Sequence, residues 1–377
     1  MKLIRKLLSS ITATACCVSF MCGGSALLTV GADTYGEFSY SYIDEDGDKK
    51  FDYLEIDYVV YNESYESTVS VDIPAEYDGL PVKSIANGAF WNCTRIASMT
   101  IPNSVTSIGY SAFEGCTSLK SITIPDSVTS IGYDAFWRAD FIHSQTGVKY
   151  ADKWVVDCDE DVVSAEIKAD TRGIANYAFD DCTSLKSITL PDSVTSIGDN
   201  AFDDCKSLKS VTIPIGVTGI GYGVFFSCTS LESVTLPNSI TSIGMYAFAE
   251  CTSLESITLS DSVTSMGWGA FSNCTSLKSI TLPDSITSIV SYAFDGCTSL
   301  ESITLPDSIT SIGIYAFVGC TSLSSITIPY SVTSMDNGAF SKCTGLESIT
   351  VLNPDCGIDM RNRTICNDCL LYTSPSP

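Results

Sequence analysis

Five acidic residues in one short window have the spacing to hold a divalent cation. Asp44, Asp46, Asp48, Asp52 and Glu55 occupy positions 1, 3, 5, 9 and 12 of the segment 44–55. An EF-hand or dockerin loop uses that spacing to direct oxygen ligands onto calcium. Position 6 is Lys49, where such a loop takes glycine, and the flanking residues alternate as strands do. Two readings stay open: a calcium loop, and an acidic, solvated hairpin turn. No other cofactor is expected. His143 is the single histidine and reads as a solvent-exposed loop side chain. The chain has no Gly-x-Ser-x-Gly elbow and no nucleotide-binding glycine loop. Nucleophilic and zinc catalysis therefore have little support. Neighbouring carboxylates such as Asp180 and Asp181 would need a cleft to hydrolyse a glycoside, and the sequence indicates none. The chain is read as non-enzymatic, with a hydrolase as a remote alternative.

Of the 17 cysteines, ten form a regular series: Cys93, Cys116, Cys182, Cys205, Cys228, Cys251, Cys274, Cys297, Cys320 and Cys343. From Cys182 onward the interval is 23 residues throughout. Each follows by three residues a phenylalanine of the series Phe90, Phe113, Phe136, Phe179, Phe202, Phe225, Phe248, Phe271, Phe294, Phe317 and Phe340, of which only Phe136 lacks its cysteine. One thiol per repeat at a fixed slot reads as a buried ladder rather than a disulfide framework. Cysteine packs as a small apolar residue, and side chains projecting in parallel make poor disulfide geometry.

A fixed period in the range of 20–29 residues marks a leucine-rich-repeat solenoid. In the unit 185–207, Ile188 and Leu190 flank Thr189 as in a half-buried strand. Pro191, lacking a backbone donor, should end that strand. The stretch 194–197 is a second short extended piece, and Gly198 allows a turn. Ala201, Phe202 and Cys205 have the spacing of one helical turn. A single unit buries too little to order itself, so the units must fold as a stack. The expected fold is a solenoid of the α/β horseshoe class, rich in β-structure. It would have about eleven coils of 23 residues, each with short strands and one helical turn.

The consensus Leu-x-x-Ile-x-Leu-Pro-x-x-Val-x-x-Ile-Gly-x-x-Ala-Phe-x-x-Cys resembles the BspA-like leucine-rich repeats of bacterial surface proteins. The entry segment 73–85 also resembles the start of such arrays. The resemblance covers roughly residues 71–352. It implies adhesion or binding at the cell surface, with host or matrix proteins, other cells or surface glycans as partners, and it brings no catalytic residues. A carbohydrate-associated surface module is the alternative.

The remaining segments fit a secreted protein. Lys2, Arg5 and Lys6 precede an apolar stretch, and 30–32 offers a small-residue cleavage site, so 1–32 reads as a signal peptide. Residues 33–70 read as a β-hairpin cap, 71–352 as the solenoid, and 137–161 as a hairpin excursion within it. Residues 353–368 read as a truncated C-terminal segment. The segment 369–377 resembles translated sequencing adapter, which removes weight from the Cys366–Cys369 pair as a redox or metal motif. After residue 32 no stretch approaches a membrane span. The net charge of −24 argues against nucleic acid as a partner. A monomer on the outside of a bacterial cell is expected. Repetition also aligns surface residues. Tyr110, Tyr133, Tyr222, Tyr246, Trp268, Tyr292 and Tyr315, with Tyr177 in the excursion coil, lie one or two residues beyond the conserved-type glycine slot. They form a candidate ligand-binding row.

Overall fold

Each coil satisfies its backbone on its neighbours through three separate sets of hydrogen bonds. The computed structural model describes residues 23–30, 33–43, 51–61, 68–139, 146–353 and 372–373. Asp44, Asp46, Asp48, His143, Cys366 and Cys369 lie outside the described residues.

The first set is a ladder of three-residue strands. Ser210–Thr212 pairs in parallel with Ser233–Thr235, residue on residue at the repeat interval, and Ser256–Thr258, Ser279–Thr281 and Ser302–Thr304 pair likewise. In each strand the middle residue is buried and both neighbours are exposed, the period-two pattern of a sheet with one wet face. The second ladder holds two-residue strands, such as Ser242–Ile243 between Gly219–Ile220 and Ser265–Met266. A tight turn joins the ladders. The carbonyl of Pro191 accepts the Val194 N–H at 3.0 Å, and Pro283 accepts Ile286 at 3.1 Å.

The third set replaces the helical turn expected at Ala-Phe-x-x-Cys. Among the described residues there is no helix. In the coil of Phe202, Asn200, Phe202 and Asp204 donate to Tyr222, Val224 and Phe226 of the next coil at 2.8, 2.9 and 2.9 Å. The intervening Ala201, Asp203 and Cys205 donate three residues back, to Gly198, Asn200 and Phe202, at 3.1–3.2 Å. An α-helix would keep all these donors within its own turns and leave none for the neighbour. The alternation needs two left-handed residues per coil. One is the second residue past the glycine slot and the other directly precedes the cysteine, as at Asn200 (φ 52°) and Asp204 (φ 57°). The i, i+3 spacing of Phe and Cys is thus the spacing of stacked turns.

Gly198 also has a different role from the one its position suggested. It is absent from the left-handed glycines, and a Cβ on it would stand 2.5 Å from the backbone nitrogen of Asn176 in the preceding coil. Close approach of two backbones, rather than turn conformation, excludes a side chain there.

The interior is one continuous apolar column. Phe225, Phe248 and Phe271 are fully buried and stack at 5.4 Å between centroids. Hydroxyls tie adjacent coils at their edges. Thr241 Oγ1 donates to the Thr218 carbonyl at 3.0 Å and Ser239 Oγ to Val217 at 2.7 Å, which accounts for the recurring Ser and Thr of the repeat.

At the N-terminal end, Asp33–Ile43 pairs antiparallel with both Gly23–Val30 and Tyr53–Tyr61. Tyr53–Tyr61 in turn runs parallel to Leu80–Ile85 and joins the second ladder. Gly23–Val30 falls in the stretch read as a leader. Tyr372–Thr373, in the stretch read as adapter, pairs with Ile349 and Thr350. In the excursion, Val148–Ala151 and Trp154–Cys158 form an antiparallel hairpin. Trp154 and Val155 then face Gly173 and Ile174 in parallel. The buried Trp154 ring explains Gly173, whose Cβ would meet ring carbon Cη2 at 2.6 Å.

Candidate functional site

The aromatic residues alternate between two backbone slots. Tyr110, Tyr133, Tyr222 and Trp268 are the first residue past the glycine slot. Tyr177, Tyr246, Tyr292 and Tyr315 are the second, which is the left-handed position, with φ of 58°, 54°, 59° and 54°. Other coils fill that position with Gly88, Ser111, Asp134, Asn200, Gly223, Gly269 or Gly338. A residue with a bulky side chain pays about 1–2 kcal/mol there relative to glycine.

The structure divides the row in two. Tyr110, Tyr133 and Tyr177 follow one another at ring separations of 5.8 and 4.9 Å. Tyr222, Tyr246, Trp268, Tyr292 and Tyr315 form the longer run, at 6.0, 4.7, 4.8 and 5.4 Å. The coil between them carries Asp199 and Asn200 instead of rings. Asp199 Oδ1 accepts the backbone N–H of Tyr222 at 2.8 Å. Tyr110, Tyr222, Trp268 and Tyr315 are well exposed, while Tyr133, Tyr177, Tyr246 and Tyr292 are half-buried. Burial, then neighbouring charge, raises the phenol pKa of Tyr177 and Tyr246, so both stay neutral donors at physiological pH.

The cysteine column is buried and free. Eleven thiols, the ten of the repeat and Cys158, are buried without disulfides among the described residues. Cys228, Cys251, Cys274 and Cys297 each donate to the phenylalanine carbonyl 26 residues earlier at 3.1 Å. That carbonyl also accepts the backbone N–H of the cysteine in its own coil. Burial pushes the thiols of Cys116 and Cys274 up to about 12. Such thiols are inert rather than reactive.

Of the five residues spaced for calcium, the structure describes two. Asp52 is exposed, and its N–H donates to the Ile43 carbonyl at 2.7 Å. Glu55 accepts Ser84 Oγ at 3.1 Å and lies two residues from Asp57, which accepts Ser41 Oγ at 2.8 Å. Among the described residues no group of three or more His, Cys, Asp or Glu is placed to hold a metal ion.

Glu55 and Asp57 instead wall a cleft of about 740 Å³ that the sequence did not indicate. Tyr53–Tyr61 is nine residues long, against six for its neighbour Leu80–Ile85 and two for each of the next coil strands. Ile56 lies opposite Ile85, where the coil chain turns away. The longer strand runs on, carrying Asp57 past that turn. Ser107, Ser130, Tyr110, Tyr133, Asn176, Tyr177 and Asp180 also line it. Asn87 Oδ1 and Asn176 Oδ1 are occupied by the backbone N–H groups of Tyr110 and Asp199, at 2.7 and 3.0 Å. Burial raises the carboxyl pKa of both Glu55 and Asp57, and the serine hydroxyls only partly offset it. The alternation Leu54-Glu55-Ile56-Asp57 was the available signal, because it places both carboxylates on the outward face of one strand.

The fold and its surface define a leucine-rich-repeat solenoid with a ring-lined edge. The chain matches the family described as BspA type leucine rich repeat region, in six copies over residues 61–149, 158–278 and 241–367, and it belongs to that family. Among solved structures it is similar to a leucine rich cell surface protein from Faecalibacterium prausnitzii A2-165, with 29% identity over 94% of this chain and 100% of that one and a TM-score of 0.42. A leucine-rich repeat protein from Bacteroides ovatus is 24% identical over 90% of this chain and 98% of that one, with a TM-score of 0.44. One from Eubacterium ventriosum is 21% identical over 79% and 95%, with a TM-score of 0.45. No curated protein matches the chain. Among the described residues no helix is long and apolar enough to cross a membrane.

Proposed function

We propose that this chain is a secreted, non-enzymatic adhesion module of a bacterial cell surface. It binds host or matrix proteins, or another cell, along its aromatic edge. The observation that carries this reading is the run Tyr222, Tyr246, Trp268, Tyr292 and Tyr315, five rings in unbroken contact along one edge. Three of them sit on left-handed backbone. Backbone strain retained at surface positions is a pointer to function. Tyrosine and tryptophan present large contact area with few rotatable bonds, and a stacked solenoid holds them in place before binding, so little ordering entropy is lost. Membership of a repeat family that resembles bacterial surface proteins supports the location. The same rings would serve a glycan, which keeps a carbohydrate-associated surface module as the second reading.

The test replaces Tyr246, Trp268, Tyr292 and Tyr315 together by Ser and measures binding to immobilised extracellular-matrix proteins and to a glycan array. The fold should persist and binding should be lost. A variant that binds as tightly as the parent reduces the rings to cover for the coil edge.

A further inference from the structure

The cleft beside the N-terminal strand combines features that the rest of the solenoid keeps apart. Glu55 and Asp57, alternate residues of one strand, line it together with Asp180, Tyr110, Tyr133 and Tyr177. None of the lining residues is basic. Glu55 and Asp57 each accept one serine hydroxyl, and no ion pair among the described residues reaches either of them. Further along the array some exposed carboxylates do hold a cation, as Glu232 holds Lys209 at 3.4 Å and Glu255 holds Lys278 at 2.9 Å. Glu55 and Asp57 thus stand half-desolvated in a lining that also carries tyrosine rings and holds no basic residue.

We propose that this cleft is a receptor for arginine side chains on a protein partner. A guanidinium is planar and forks two parallel hydrogen bonds onto a carboxylate. Its faces stack on aromatic rings, where the quadrupole attracts the cation. It also sheds water more readily than an ammonium does. Carboxylates and tyrosine rings in one lining offer partners for both the edge and the face of that group. Binding would also supply the counter-charge that Glu55 and Asp57 lack. The overall charge of −24 would draw basic segments toward the surface, and the cleft would select among them by geometry. The inference rests on the protein-binding reading above, and it concerns a different part of the molecule from the long ring run.

The probe is N-acetyl-tetra-arginine amide, titrated by calorimetry into the full chain at 0.15 M salt. Tetra-lysine amide serves as the charge-matched comparison, and a neutral N-acetylglucosamine tetramer tests for a glycan. The arginine peptide should bind at one saturable site, at least tenfold more tightly than the lysine peptide. Glu55→Gln with Asp57→Asn keeps size and both serine contacts, and should weaken binding at least tenfold. Tyr110→Ser, at an exposed ring, should weaken it severalfold. Asp284→Asn with Asp307→Asn removes the same charge from exposed positions far along the array and should leave binding within twofold. Equal loss in the two double variants, equal binding of lysine, or capture of the tetrasaccharide instead of the peptide each overturns the proposal. The variant lacking Tyr246, Trp268, Tyr292 and Tyr315 should bind the arginine peptide unchanged. Loss of matrix binding in that variant, with no peptide binding in the parent, would sink the cleft alone.

Discussion

The cysteine column should make this protein sensitive to alkali through protons that its core cannot release. Cys93, Cys116, Cys205, Cys228, Cys251, Cys274 and Cys297 all have thiols pushed above the ordinary 9.0, chiefly by burial. Cys158, raised first by its neighbour Cys182, and Cys320 and Cys343, which shift each other in opposite directions, do not behave as independent buried thiols. In the unfolded chain each of the seven ionises around pH 9, whereas in the fold it stays protonated. A pKa raised by folding contributes stability below the unfolded value and loses it as pH rises toward the folded one, here about 12 for Cys116 and Cys274.

At pH 9 the unfolded state has lost about half a proton per thiol, so each contributes a slope of about −0.7 kcal/mol per pH unit and the seven together about −5. By pH 10 the accumulated loss is about 1.4 kcal/mol per thiol, or roughly 10 kcal/mol in all. That is comparable to the net stability of a typical domain, about 5–15 kcal/mol. Urea unfolding followed by far-UV circular dichroism at pH 7.5, 8.5 and 9.5, with a reductant present, should show stability falling steeply above pH 8.5. Cys251→Ala should flatten the slope at pH 9 by about half a proton, at a fixed cost of its own at neutral pH. A slope at pH 9 shallower than about 1.4 kcal/mol per unit, one full proton, would mean that the buried thiols do not dominate. So would a Cys251→Ala slope equal to the parent's. The same burial hides the thiols from reagents. The eleven described here should react with an aromatic disulfide reagent at pH 8 only after denaturation.

Three further substitutions test particular contacts. Gly244→Ala places a Cβ 2.5 Å from the carbonyl carbon and oxygen of Gly221 and should destabilise the fold by about 1–3 kcal/mol. Gly319→Asn, at a left-handed position whose built Cβ meets nothing nearer than 3.7 Å and which Asn92 and Asn273 fill in other coils, should be neutral within about 0.5 kcal/mol in the same urea assay. Asp203 has its carboxyl pushed up to about 7 by burial and then by Asp180, Asp204 and Asp181. Its ionised form is therefore disfavoured by folding, and stability is lost as pH rises from about 4 through 7. Asp203→Asn should stabilise the protein at pH 8 by about 1–2 kcal/mol after discounting for partial exposure, and by nothing at pH 3.5. Stabilisation of equal size at both pH values would assign the effect to packing.

The core was legible because a core slot repeats under a single constraint. Ile188 and Phe202 recur with their neighbours at a period of 23, and no physical alternative to stacking explains a cysteine in phase with ten of the eleven phenylalanines. The helical turn was misread for a reason that the same arithmetic contains. Spacing of i, i+3 is shared by a helix and by a stacked turn, and only the left-handed residues at Asn200 and Asp204 separate them. Asn, Asp and Gly at those slots in coil after coil were the available clue. The glycine of the Ile-Gly pair was read as a turn residue because a lone sequence cannot show the approach of another backbone. The cleft stayed hidden because it depends on a strand outrunning its partners. That is a property of register across non-repeating residues, to which periodicity says nothing.

The ring run is best understood by asking what the solenoid would place there unaided. The second slot past the glycine is left-handed in each described coil; Ser111 fills it in one, and glycine, asparagine or aspartate fills it cheaply at Gly88, Asp134, Asn200, Gly223, Gly269 and Gly338. Tyrosine occupies it at 177, 246, 292 and 315. The first slot carries no left-handed requirement in these coils, and rings there cost the backbone nothing. A solenoid needing only edge cover would put every ring in the first slot. This one alternates: Tyr222 in the first, Tyr246 in the second, Trp268 in the first, Tyr292 and Tyr315 in the second. The outcome is a chain of contacts with no gap wider than 6.0 Å. Contact between neighbouring rings returns about 0.5–1.5 kcal/mol per pair, which roughly cancels the backbone strain. Stability alone therefore gives no net reason to prefer tyrosine over glycine at these positions. What the tyrosines add is a continuous aromatic face on a rigid edge, which is the surface that the proposed adhesion uses and that the four-ring variant removes.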